Sequence, residues 1–164
     1  MPPSGLAFDR AVNLLLELLV ATAMVVLTVG IHLVGIAGLL TLLRRHRARG
    51  GLPGSIVRGG IVRDGIGIVG AATGLFVLHS IEIWSYAALY TWIRALPDFE
   101  TALYFSTATY ATIGYGDVVL ARTWRILGAI EGANGVILLG WSTAFFVAVV
   151  GRIRFVEGEI GTFR

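Results

Sequence analysis

Three long apolar runs constrain this chain more than any other feature: Ala11–Leu43, Ile66–Ile93 and Trp124–Val150. Each exceeds the ~20 residues that a helix needs to cross the hydrocarbon core of a bilayer. At 1.5 Å per residue the second and third reach about 40 Å, enough to cross with tilt. The first reaches about 50 Å, so its Ala11–Leu19 part is expected to lie at the interface. Composition agrees: 56% of the residues are hydrophobic and 14% charged, against about 25% charged in soluble proteins. A soluble enzyme, a disordered tail and a nucleic-acid-binding module are all disfavoured, and the lipid bilayer is the expected partner. The absence of cysteine excludes disulfides, thiol nucleophiles and thiolate metal sites.

The charges orient the spans. Every basic residue is arginine. Arg44, Arg45, Arg47, Arg49, Arg58 and Arg63 face the single acid Asp64 in one stretch. By the positive-inside rule, residues 44–65 form an Arg-rich cytoplasmic loop. Gly50–Gly65 is rich in glycine and carries Pro53, which also reads as a loop. The N-terminus is then outside, and the C-terminal tail, 152–164, is cytoplasmic. Ala21-Thr22-Ala23 has the small-x-small form of a signal-peptide cleavage site. The apolar run continues far past it, so a retained membrane helix over 1–43 is expected. Trp84, Tyr86, Tyr90 and Trp92 close the second run and Trp124 opens the third, reading as an aromatic belt.

Between these runs, Phe99–Ala111 is apolar and hydroxylated but too short to span. Pro97, Asp98 and Glu100 are helix-start signals. Thr112-Ile113-Gly114-Tyr115-Gly116-Asp117 follows. Glycine-punctuated backbone at membrane depth is tolerated only where protein buries it or water lines it. Consecutive carbonyls can replace the hydration shell of a cation if all face one axis. That requires positive φ at intervals, which Gly114 and Gly116 allow at alternate positions. Thr112 adds a hydroxyl at the inner mouth, and Asp117 adds negative charge at the outer mouth. Ile113 and Tyr115 are expected to point away from the axis and pack on the short helix, whose C-terminal end favours a cation.

Thr-Ile-Gly-Tyr-Gly-Asp, after a short helix and between two spans, resembles the potassium-channel pore domain. The stretches Ala102-Leu-Tyr-Phe-Ser and Gly140-Trp-Ser-Thr-Ala-Phe also look like small bacterial members of this pore type. The resemblance covers residues 66–151: outer helix 66–93, pore helix 99–111, filter 112–116 and inner helix 124–150. It implies an all-α membrane protein with three transmembrane helices and a re-entrant pore helix between the second and third. It also implies a homotetramer, because one chain supplies one strand of carbonyls, and K⁺ conduction with no cofactor beyond the permeant ion.

The chain departs from the family pattern behind the filter. A pore-helix Glu that bonds the filter Asp is matched by Ala108, and a Trp that bonds the filter Tyr by Phe105. Asp117 and Tyr115 therefore need other partners or water. Glu131 is one candidate replacement, either behind the filter on Ser106 or Thr109 or facing the cavity. Asn134 lines the cavity or bonds a neighbouring helix. Gly128, Gly132, Gly135 and Gly140 permit close packing, and Gly135 is also a hinge candidate. His79 and Glu82 share a helix face. They are expected as a buried hydrogen-bonded pair, since two ligands are too few for a metal. His32 is expected at a helix–helix contact, with a proton-linked switch as its alternative.

Residues 1–43 have no counterpart in a minimal two-helix pore and lack the regularly spaced arginines of a voltage sensor. No gating ligand, small-molecule site or nucleic-acid partner is read from the sequence. A channel subunit is the leading expectation. A non-conducting accessory subunit using the same scaffold is the alternative, and an intramembrane enzyme lacks a nucleophile or base constellation.

Overall fold

The computed structural model describes residues 4–48 and 58–162, with side chains at residues 8, 10–46, 48 and 64–151. The protein is an all-α membrane protein with three helices long and apolar enough to span a bilayer: Arg10–His46, Asp64–Trp92 and Arg122–Gly151. The elements are α1 (Ser4–Ala48), α2 (Arg58–Trp92), α3 (Phe99–Tyr110), a 3₁₀ turn (Arg122–Trp124) and α4 (Arg125–Thr162). No β-sheet pairing occurs among the described residues.

The helices overrun the boundaries expected from charge. α1 continues through Arg44–Arg47, and α2 starts at Arg58 rather than at residue 66. Of the expected loop 44–65, residues 49–57 lie outside the described residues. α4 likewise continues through residues 152–162, expected as a tail. Arginine and alanine, which make up most of Arg44–Ala48, are strong helix formers. A charged side chain marks where the membrane stops without requiring the helix to stop there. Ala11–Leu19 belongs to one unbroken α1.

Helix ends near the short helix are built from local hydrogen bonds. At the end of α2 the N–H of Ala95 donates to the Tyr90 carbonyl at 2.9 Å, and that of Arg94 to Thr91 at 3.1 Å. This pair is a Schellman cap. It puts Arg94 at φ 55°, a conformation that normally favours glycine. α3 is started by Asp98, whose Oδ1 accepts from the Thr101 N–H at 2.8 Å. Glu100 in the first turn complements the positive end of the helix.

The chain forms two compact units. The first contains the residues up to Ile31 with Ser80–Leu138. Its core joins Ala21 and Met24 of α1, Tyr86, Ala87 and Tyr90 of α2, Ala102 of α3 and Leu127 of α4. Small alanines at three of these positions let the helix backbones approach closely. The second contains His32–His79 with the residues from Leu139 onward. There Gly35 of α1 receives Leu78 of α2, and Gly74 of α2 receives Leu39 of α1. His79 Nε2 lies 2.8 Å from the Ser142 hydroxyl of α4. The His32 ring lies 5.4 Å from that of His79 and 6.2 Å from Trp141. His32 is thus a contact point for three helices.

Candidate functional site

The candidate site begins where α3 ends. The N–H of Ile113 donates to the Ala108 carbonyl at 2.8 Å, and that of Thr112 to Thr109 at 3.0 Å. This is a second Schellman cap, with Thr112 in the left-handed position at φ 59°. Positive φ recurs at Gly114 (56°) and Gly116 (78°), whereas Ile113 and Tyr115 lie outside that region. The sequence pointed to the two glycines. It missed Thr112, because a β-branched residue is among the least suited to this conformation. The closing of α3 imposes it.

Residues 111–117 are all exposed. Ile113 is 52% and Tyr115 71% exposed, so within one chain neither packs on α3 as expected. A groove of about 170 Å³ lies between strand and helix, lined by Phe105, Ala108 and Thr109 on one side and residues 114–119 on the other. The strand is held at its two ends instead. At its far end Tyr104 of α3 donates its hydroxyl to Asp117 Oδ2 at 2.8 Å. Tyr104 is the partner for Asp117 that the sequence did not reveal.

That bond holds the Asp117 carboxyl below the usual carboxylate range and raises the Tyr104 hydroxyl. A lowered carboxyl favours the folded arrangement above its ordinary pKa of about 4, and the benefit is lost as pH falls through the lowered value. Tyr104→Phe is expected to return Asp117 to the ordinary range. A carboxyl-carbon NMR titration reads this directly, and an unmoved Asp117 would remove Tyr104 as the cause.

Behind the strand, α3 is tied to both neighbouring helices through buried polar groups. Ser106 Oγ lies 2.5 Å from Glu131 Oε1 and 3.0 Å from the Ile83 carbonyl. Tyr90 donates its hydroxyl to Glu131 Oε2 at 2.6 Å. Tyr110 donates to Glu82. Glu82, Ser106 and Glu131 are fully buried. A serine hydroxyl has one proton for two acceptors here. Ser106 is the donor in both contacts, so its one proton is divided between the Ile83 carbonyl and Glu131.

Several sequence expectations change in detail. Glu131 meets Ser106, while Thr109 lies against Gly132. Phe105 packs edge-on to Tyr90, ring centroids 5.4 Å apart. Asn134 donates to Thr28 of α1 at 2.8 Å and to the Tyr86 hydroxyl at 3.4 Å, making it a helix-to-helix tie. Tyr86 and Tyr90, assigned to an aromatic belt, are fully buried, whereas Trp84 and Trp92 are exposed. The structure brings His79 to Ser142 and Glu82 to Tyr110. The four-residue spacing of Glu82, Tyr86 and Tyr90 was the available signal, since it places all three on one face of α2.

Gly135 is a position where α4 comes close to the backbone of α3. A Cβ there would lie 3.0 Å from the carbonyl carbon of Tyr110 and 3.1 Å from its Cα. Gly140, grouped with it from the sequence, has open space around it. Glu17, an acid within the first apolar run, is nearly fully buried. Its Oε1 accepts from the N–H groups of Ile126 and Leu127 at 2.7 and 3.0 Å. It therefore caps α4 from α1, satisfying two of the donors that a helix start leaves open.

No curated protein and no solved structure matches the chain. Residues 72–152, just under half of it, match the family model described as an ion channel, which supports an ion-channel pore domain over most of α2, α3, the glycine-punctuated segment and most of α4.

Proposed function

We propose that the chain is one subunit of a homotetrameric K⁺ channel of the cell membrane. It conducts passively through a filter formed by Thr112–Gly116, with Asp117 at the outer mouth. Residues 66–151 serve as the pore domain, α3 as its re-entrant helix, and the arginine-rich side as the cytoplasmic face. The C-terminus is then cytoplasmic and the N-terminus outside. Conduction needs no cofactor and no chemical step.

The observation that carries this reading is the alternation of positive φ at residues 112, 114 and 116 along an exposed strand. An ordinary extended strand points successive carbonyls to opposite sides. Reversing every second φ allows them to share one side, as a dehydrated cation requires. One strand supplies oxygens from one direction only, so a closed cage needs further copies of the chain. The exposed Ile113 and Tyr115 offer those copies a surface. In this reading Ser106, Phe105 and Glu131 support the filter from behind, Asn134 ties the helices together, and Gly135 serves packing in place of a hinge.

The test is flux from the purified protein in liposomes. Uptake selective for K⁺ over Na⁺ and blocked by Ba²⁺ is expected. Gly114→Ala puts a Cβ in the left-handed region at a cost of about 1–2 kcal/mol in every copy. It should reduce flux more than about tenfold, since each 1.36 kcal/mol is a factor of ten. A folded tetramer that passes no K⁺ would overturn the proposal.

A further inference from the structure

Arg10 directly precedes the first apolar run, and Arg122 opens the turn that leads into the third span. These two residues line one cleft of about 460 Å³ in the first unit, together with Asn13, Leu14, Glu17 and Thr123. From this juxtaposition we infer that the cleft is a binding site for the phosphodiester headgroup of an anionic phospholipid, in the leaflet on the side of the candidate filter. The inference does not depend on whether the chain conducts ions.

Charge comes first. Arg10 and Arg122 are exposed and come from different elements, α1 and the 3₁₀ turn. Guanidinium groups offer a phosphate planar, charge-assisted donors. Asn13 and Thr123 add neutral hydrogen-bonding groups to the same wall. Among the described residues Glu17 is the one acid lining the cleft, and its carboxyl is engaged by the α4 backbone at Ile126 and Leu127. The lining therefore presents more available positive than negative charge.

Depth decides the source of the phosphate. The cleft sits where two spans begin, at the level where lipid headgroups meet hydrocarbon. Below Arg10, Leu14 and Leu18 follow at four-residue spacing on the same face of α1, and both are exposed. Ile126, four residues beyond Arg122, is exposed as well. A free phosphate would use the arginines alone, whereas a phospholipid also covers these apolar residues with its acyl chains. Phosphatidylglycerol fits better than phosphatidylcholine, whose own choline cation would face the two arginines.

The test uses the full chain purified in detergent, with retained lipid counted by native mass spectrometry. Phosphatidylglycerol should bind several-fold tighter than phosphatidylcholine with the same acyl chains. Arg10→Gln and Arg122→Gln should each weaken it about fivefold, the equivalent of about 1 kcal/mol per arginine at a membrane surface. Arg10→Lys and Arg122→Lys should retain most of the affinity. Millimolar inorganic phosphate should not displace the lipid. Unchanged phosphatidylglycerol binding in both Gln variants would overturn the inference. So would a preference that disappears only in Arg44→Gln/Arg45→Gln. Displacement by inorganic phosphate would reassign the cleft to a free anion and overturn the lipid reading.

Discussion

Gly135→Ala should destabilise each folded chain by about 3 kcal/mol, at the upper end of the range for forcing an extra methyl into a packed interior. The added Cβ would press on the backbone of Tyr110, its carbonyl carbon only 3.0 Å away. A side chain could turn aside, but backbone at the end of α3 cannot. That end is fixed by the cap through Thr112 and by the Tyr110–Glu82 bond. Relief would require α4 to back away from α3, loosening the neighbouring contact between Gly132 and Thr109. Reversible unfolding in mixed detergent micelles reads the loss. The hinge reading makes a different forecast, of wild-type stability with altered opening. If Gly135→Ala unfolds like the wild type, close approach is not what the glycine serves. Gly140→Ala, at a position with open space, is the matched control and should cost little.

The second large effect is expected at Glu131, where two substitutions should part company. Glu131→Ala removes the acceptor of the buried Tyr90 hydroxyl and leaves a cavity beside Ser106. An orphaned buried hydroxyl costs about 1–3 kcal/mol, and the cavity adds to it. A total of about 3 kcal/mol or more is expected for Ala. Glu131→Gln should cost less than about 1 kcal/mol. The amide oxygen can accept from Tyr90, and the amide nitrogen can donate to Ser106, leaving the serine proton to the Ile83 carbonyl. The comparison therefore tests the sharing of the serine proton as well as the contact. A Gln variant as unstable as Ala would show that Ser106 must donate to the native carboxyl group. The same unfolding assay supplies both numbers.

The three spans were legible because a bilayer demands length and apolarity, both visible residue by residue. The start of α3 was legible in Asp98, and the left-handed positions at 114 and 116 in the glycines themselves. Thr112 was not, because its conformation comes from the way α3 closes and opposes its own local preference. The helix ends near Arg44 and Arg58 were misplaced for a related reason: charge locates the bilayer surface, whereas helix ends are set by caps and breakers. The ties behind the strand link residues 41 positions apart in Tyr90–Glu131 and 28 apart in Tyr110–Glu82. No local pattern encodes such pairings. Reading Tyr86 and Tyr90 as interfacial aromatics obscured the one local hint, their shared face with Glu82. The capping role of Glu17 was hidden likewise, since nothing near it in sequence shows which backbone it serves.

Glu17 also imposes an order on biosynthesis. Its partners lie 109 and 110 positions further along the chain, and the partner of Thr28 lies 106 further. At about 5–20 residues per second, α1 is complete ~5–20 s before these partners are made. During that interval a carboxyl-bearing helix waits in or beside the membrane for the third span. A nascent chain arrested between α3 and α4 therefore holds an unfinished first helix, one that quality-control machinery could distinguish from a finished one by its unpaired acid.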